Sequence, residues 1–111
     1  MGNRAVITTS PQAKCGVYLH WNGGPESVLA FLECARQLGV RDPAADPVYF
    51  MARLTQIIAN WFGGTLSVGI GDPLYLDRSD NGAYFVGAGF AIERRSHPGA
   101  RTLGELGARE R

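Results

Sequence analysis

Two amphipathic stretches fill the middle of the chain, each with its own start signal and each followed by glycine, and they limit what the flanking residues can build. In residues 25–38, Val28, Leu29, Phe31, Leu32, Ala35 and Leu38 recur at three- and four-residue spacing, while Glu26, Glu33, Arg36 and Gln37 fall mostly elsewhere on the helical wheel. Pro25 suits the first helical position, where its missing N–H is not needed, and Gly39 supplies a left-handed cap. In residues 47–62 the apolar stripe is Phe50, Met51, Leu54, Ile57, Ile58 and Trp61, with Arg53, Gln56 and Asn60 on a polar one. Asp46-Pro47 starts that helix with a carboxylate cap, and Gly63-Gly64 ends it. The stripe places Trp61 in the core.

The flanks carry strand signals. Residues 4–9 are rich in β-branched types, and residues 15–21 alternate, with Val17, Leu19 and Trp21 on one face and Tyr18 and His20 on the other. Turn chemistry at Ser10-Pro11 lets the two pair as a hairpin. Residues 65–70 again alternate, and residues 83–94 form the last strand, with Gly87 and Gly89 marking a bulge or bend. A short extra strand fits Leu74-Tyr75-Leu76, and Asn81-Gly82 is a hairpin signal. The order ββααββ, with strands grouped at the two ends, predicts an α+β fold: an antiparallel sheet of about four strands with two helices packed on one face. Residues 1–95 make a single compact domain on this reading. Residues 96–111 have little to bury and form a flexible tail.

Composition narrows the function classes. The chain has 111 residues, 45% hydrophobic and 19% charged, enough for one core without disulfides or metal. No stretch nears the ~18 apolar residues of a membrane span, and the first residues lack the apolar run of a secretory signal, so a cytoplasmic protein is expected. The formal net charge of +1 offers no broad attraction for nucleic acid or anionic lipid. Cys15 and Cys34 lack the spacing of a zinc site and read as reduced thiols.

Three constellations bear on chemistry. Asn22-Gly23-Gly24-Pro25-Glu26-Ser27 joins a strand to a helix start, where free N–H groups can hold an anion, although it matches neither a dinucleotide nor a phosphate-loop motif. Asn22, Gly23, Gly24 and Ser27 are its candidate ligand residues; the plainer reading is a tight turn. A Cys–His pair built from Cys15 or Cys34 with His20 has poor geometry, and Asp72, Asp77 and Asp80 read as turn formers. No acid, base and nucleophile converge. The expectation is a protein with no catalytic activity, cofactor or metal. Tyr18, His20 and Tyr84 are expected together on the sheet face away from the helices, where a partner protein or a second copy docks.

The run Asn3-Arg4-Ala5-Val6-Ile7-Thr8-Thr9, then Gly16-Val17-Tyr18-Leu19-His20-Trp21-Asn22-Gly23-Gly24 and Ser27-Val28, then Ala52-Arg53-Leu54 and Phe62-Gly63-Gly64-Thr65-Leu66-Ser67-Val68-Gly69-Ile70 resembles a family of small uncharacterised proteins of phages and mobile elements. The resemblance covers about residues 3–94 and assigns no activity to any residue. It implies an inhibitor of bacterial defence, of the anti-CRISPR type, that binds and blocks a host protein in the host cytoplasm. The alternative is a small-ligand or nucleotide-sequestering protein using the Asn22–Ser27 turn.

Overall fold

The computed structural model describes residues 2–61 and 67–96. Strands β1 (Ala5–Thr8) and β2 (Gly16–Leu19) lead into helices α1 (Pro25–Gln37) and α2 (Pro47–Trp61). Strands β3 (Val68–Gly71), β4 (Ala83–Val86) and β5 (Ile92–Arg95) follow, with single 3₁₀ turns at Pro73–Tyr75 and Ala88–Phe90. The fold is α+β, as expected. The sheet has five strands in the order β3-β2-β1-β4-β5.

The sheet is mixed rather than antiparallel. β1 pairs with β2 in antiparallel register, Ala5 opposite Leu19 and Ile7 opposite Val17, as the hairpin signal requires. On its other side β1 runs parallel to β4, with Ile7 opposite Tyr84. The cause lies in residues 72–82. They leave β3 at one edge and reach β4 beyond β2 and β1, a crossover that brings β4 in parallel to β1. Residues 74–76 are therefore not a strand, because Asp72 caps a 3₁₀ turn by accepting from the Leu74 N–H at 3.0 Å. The expected last strand, 83–94, is two strands. A turn with Gly89 at φ 69° and Phe90 at φ 62° folds β5 back onto β4. Such paired left-handed residues favour glycine at one position. Phe90 is held in that conformation beside Phe50, ring centroids 5.9 Å apart.

Both helices lie on one face of the sheet. Val28, Phe31, Leu32 and Ala35 of α1 and Phe50, Met51, Leu54 and Ile58 of α2 are buried against Ala5, Ile7, Val17, Leu19, Tyr84 and Val86. Each large side chain removed from water there stabilises by about 1.5–3 kcal/mol. The caps are as the sequence demands: Pro25 opens α1, Gly39 closes it at φ 77°, and Asp46 accepts from the Tyr49 N–H at 3.1 Å. Leu29, Leu38 and Trp61 depart from the expected stripe and are exposed. Trp61, the last described residue of α2, meets the core through an edge-on contact with Phe31, centroids 5.0 Å apart. Trp21 is also exposed, because strand pairing ends at Leu19 and the chain turns at Asn22, φ 61°. The Gly63-Gly64 helix end, the start of the 65–70 strand and the tail from residue 97 lie outside the described residues.

The opposite sheet face is covered in part, over β1 and β4, by the crossover itself. Leu76 packs on Val6, Ala83 and Phe85, and Pro73 lies against Gly16, where an added Cβ would come within 3.0 Å of the ring. Arg4 ties the segment down by pairing with Asp80 at 3.2 Å and Asp77 at 3.8 Å. Arg78, within this segment, is fully buried.

Candidate interaction surface

The residues singled out in sequence divide between two faces. Tyr18 and His20 lie on the helix-free side of β2, half-buried, and the Tyr18 hydroxyl and His20 Nδ1 share a hydrogen bond of 2.9 Å. Trp21 stands edge-on to the His20 ring at 4.7 Å. Tyr84 is not with them. It faces the helices, 1% exposed, and its hydroxyl donates to the Gly23 carbonyl at 2.8 Å. The parallel register explains this, since Val6 is paired with Tyr18 on one side and Ile7 with Tyr84 on the other, and consecutive residues of β1 point to opposite faces. Burial pushes the Tyr84 hydroxyl above its usual range, with nearby Arg95 acting in the opposite sense.

The glycine turn is committed to packing. Gly23 donates its N–H to the Asn3 carbonyl at 2.9 Å and accepts from Tyr84. A Cβ at Gly23 would fall 2.5 Å from the Asn3 oxygen, so only glycine fits. Gly24 is the first capping residue of α1, and its carbonyl accepts from Val28. Asn22 and Ser27 are half-buried beside it. Cys15 is exposed and Cys34 half-buried, and both are free thiols. Asp72 and Asp77 accept from the backbone N–H groups of Leu74 and Ser79, the turn-forming role expected of them.

A richer arrangement lies on the outer side of the helical layer, along the polar stripe of Arg53, Gln56 and Asn60 on α2. A groove of about 640 Å³ runs between the end of α1 and the length of α2. At its centre Tyr49 is half-exposed, with the Arg41 guanidinium 4.2 Å and the Arg53 guanidinium 5.9 Å from its ring centroid. Arg41 also pairs with Asp46 at 2.8 Å, and Arg53 donates to Gln56 at 3.0 Å. The Tyr49 N–H, and then Arg41, hold the Asp46 carboxyl below its ordinary range. Leu38 and Trp61 complete the wall, 69% and 42% exposed. Both guanidinium groups thus lie within cation–π range of one ring, Arg41 the closer of the two. The polar stripe of Arg53, Gln56 and Asn60 was legible in the sequence, and the four-residue spacing of Tyr49 and Arg53 brings those two together on one helical face.

Among the described residues no three His, Cys, Asp or Glu side chains converge as metal ligands, and no helix is long and apolar enough to cross a membrane. No protein-family model matches the chain, and no curated protein or solved structure is significantly similar to it.

Proposed function

We propose that the chain is a non-catalytic binding domain that acts by covering a site on a partner protein, with the groove around Tyr49 as its contact surface. The observation that carries this reading is the Arg41–Tyr49–Arg53 stack flanked by exposed Leu38 and Trp61. Tyrosine, tryptophan and arginine are the side chains in which interface energy concentrates, and a rigid stack loses little side-chain entropy on binding. Asp46 offsets Arg41, so Arg53 leaves the groove net positive and favours an acidic patch on the partner. The sequence resemblance to phage and mobile-element proteins supports a host protein as that partner, and inhibition of bacterial defence in the host cytoplasm, in the anti-CRISPR manner, as the outcome.

The test is competitive capture from host lysate with the immobilised chain. A Tyr49→Ala, Arg53→Ala double variant that keeps its circular dichroism spectrum should lose the captured protein, with each change weakening binding by about 2 kcal/mol. Tyr18→Ala should leave it bound. Capture that survives the double variant and fails with Tyr18→Ala would move the contact surface to the sheet face.

A further inference from the structure

The two edges of the sheet are built differently. β5 carries Glu93, Arg94 and Arg95, charges of the kind that discourage strand addition, and all three are exposed. β3 is Val68-Gly69-Ile70-Gly71, with no charge and no proline, and Ile70 is 57% exposed. The His20 N–H donates to the Ser67 carbonyl at 3.1 Å, which fixes which backbone groups of β3 face β2. In antiparallel register the hydrogen-bonded pairs alternate, so Tyr18–Gly69 and Gly16–Gly71 are bonded like His20–Ser67. The N–H and C=O groups of Val68 and Ile70 then point outward, and no described residue pairs with them.

We propose that β3 is the seat of a symmetric dimer in which two copies join edge to edge through antiparallel β3 strands, with Gly69 on the two-fold axis. Outward groups at Val68 and Ile70 are separated by one residue, so a second copy related by a two-fold presents Ile70 to Val68 and Val68 to Ile70, and every outward donor meets an acceptor. Gly69 then faces its own copy in a non-bonded pair, where Cα atoms approach to about 4.5 Å. That is the closest point of the contact, and glycine places no side chain there. Val68 and Ile70 point to the helical side, being paired with Leu19 and Val17, so each exposed Ile70 is covered by the other copy's Val68. With no charge on β3, self-pairing brings no like charges together. The contact is independent of the groove around Tyr49, which opens between α1 and α2.

The register is tested by a disulfide. In a Cys15→Ser, Cys34→Ser background, Gly69→Cys puts two thiols on the axis at a Cα separation within the bridging range. A Cβ at Gly69 meets a Tyr18 ring carbon at 3.6 Å and the Tyr18 Cβ at 3.7 Å, ordinary contacts, so the fold accommodates it. Mild oxidation should give a covalent dimer, and the same cysteine at Leu29, on the outer side of α1, should not. Sedimentation of the unaltered chain should show a concentration-dependent dimer, weakened at least about tenfold by Ile70→Lys with circular dichroism unchanged. A chain that stays monomeric at several hundred micromolar overturns the proposal and leaves the edge to an extended segment of another protein. So does a dimer that neither forms the Gly69→Cys disulfide nor responds to Ile70→Lys.

Discussion

Removing one oxygen atom tests how β4 is locked to the start of α1. Tyr84→Phe keeps the buried ring and deletes the hydroxyl that donates to the Gly23 carbonyl at 2.8 Å. The carbonyl belongs to a buried residue, so it is left without that donor, and the expected loss is about 1–3 kcal/mol. For a domain of this size that lowers Tm by about 4 °C or more. The loss has a pH signature. Burial raises the Tyr84 pKa in the folded protein above its ordinary 10.0, so the neutral hydroxyl is favoured by folding. Its contribution is fully present below pH ~10 and is lost as pH rises through the raised value, because the unfolded chain ionises first. Urea melts at pH 7 and above pH 10 should therefore show the gap between the two proteins narrowing. Equal melts at pH 7 would refute the buried hydrogen bond, and a gap that stays constant through pH 10.5 would refute the raised ionisation of the buried hydroxyl.

Two further substitutions probe the packing. Gly23→Ala should destabilise by about 1–3 kcal/mol through collision with the Asn3 carbonyl and Ala5, whereas Gly24→Ala, whose Cβ would meet only Asn3 Nδ2 at 3.7 Å, should melt near the unaltered chain. Trp61→Ala, with the ring 42% exposed and touching Phe31 edge-on, should lose about 1–2 kcal/mol, short of the ~3–5 kcal/mol of a fully buried aromatic; thermal melts distinguish the two.

Periodicity and capping made both helices and the β1–β2 hairpin legible, because those are local choices: Pro25, Gly39, Asp46 and the apolar stripes act within a few residues of where they stand. What the chain does between β3 and β4 is not local. Nothing in residues 72–82 states that they will pass over β2 and β1, and with that crossing the sheet becomes mixed and Tyr84 turns from the face of Tyr18 to the face of the helices. The stripe of α2 likewise identified which side meets the sheet, and not where the sheet ends, so Trp61 was assigned to a core that stops at Ile58. Arg41 and Arg53 are separated by twelve residues and meet only because the α1–α2 connection folds back over Tyr49.

The parallel pairing of β1 with β4 also sets a timetable for synthesis. Val6 and Ile7 lie opposite Ala83 and Tyr84, so the second strand to flank β1 leaves the ribosome more than seventy residues after it. With elongation at about 5–20 residues per second, β1 and its apolar side chains wait several seconds, guarded on one side only by β2. A fragment ending after α2 holds both helices but lacks β4, and its newly made sheet would expose Ile7 and Val6 along an open edge. The second neighbour of β1 is thus made late, and with it the Tyr84 hydroxyl that reaches back to the turn at Gly23.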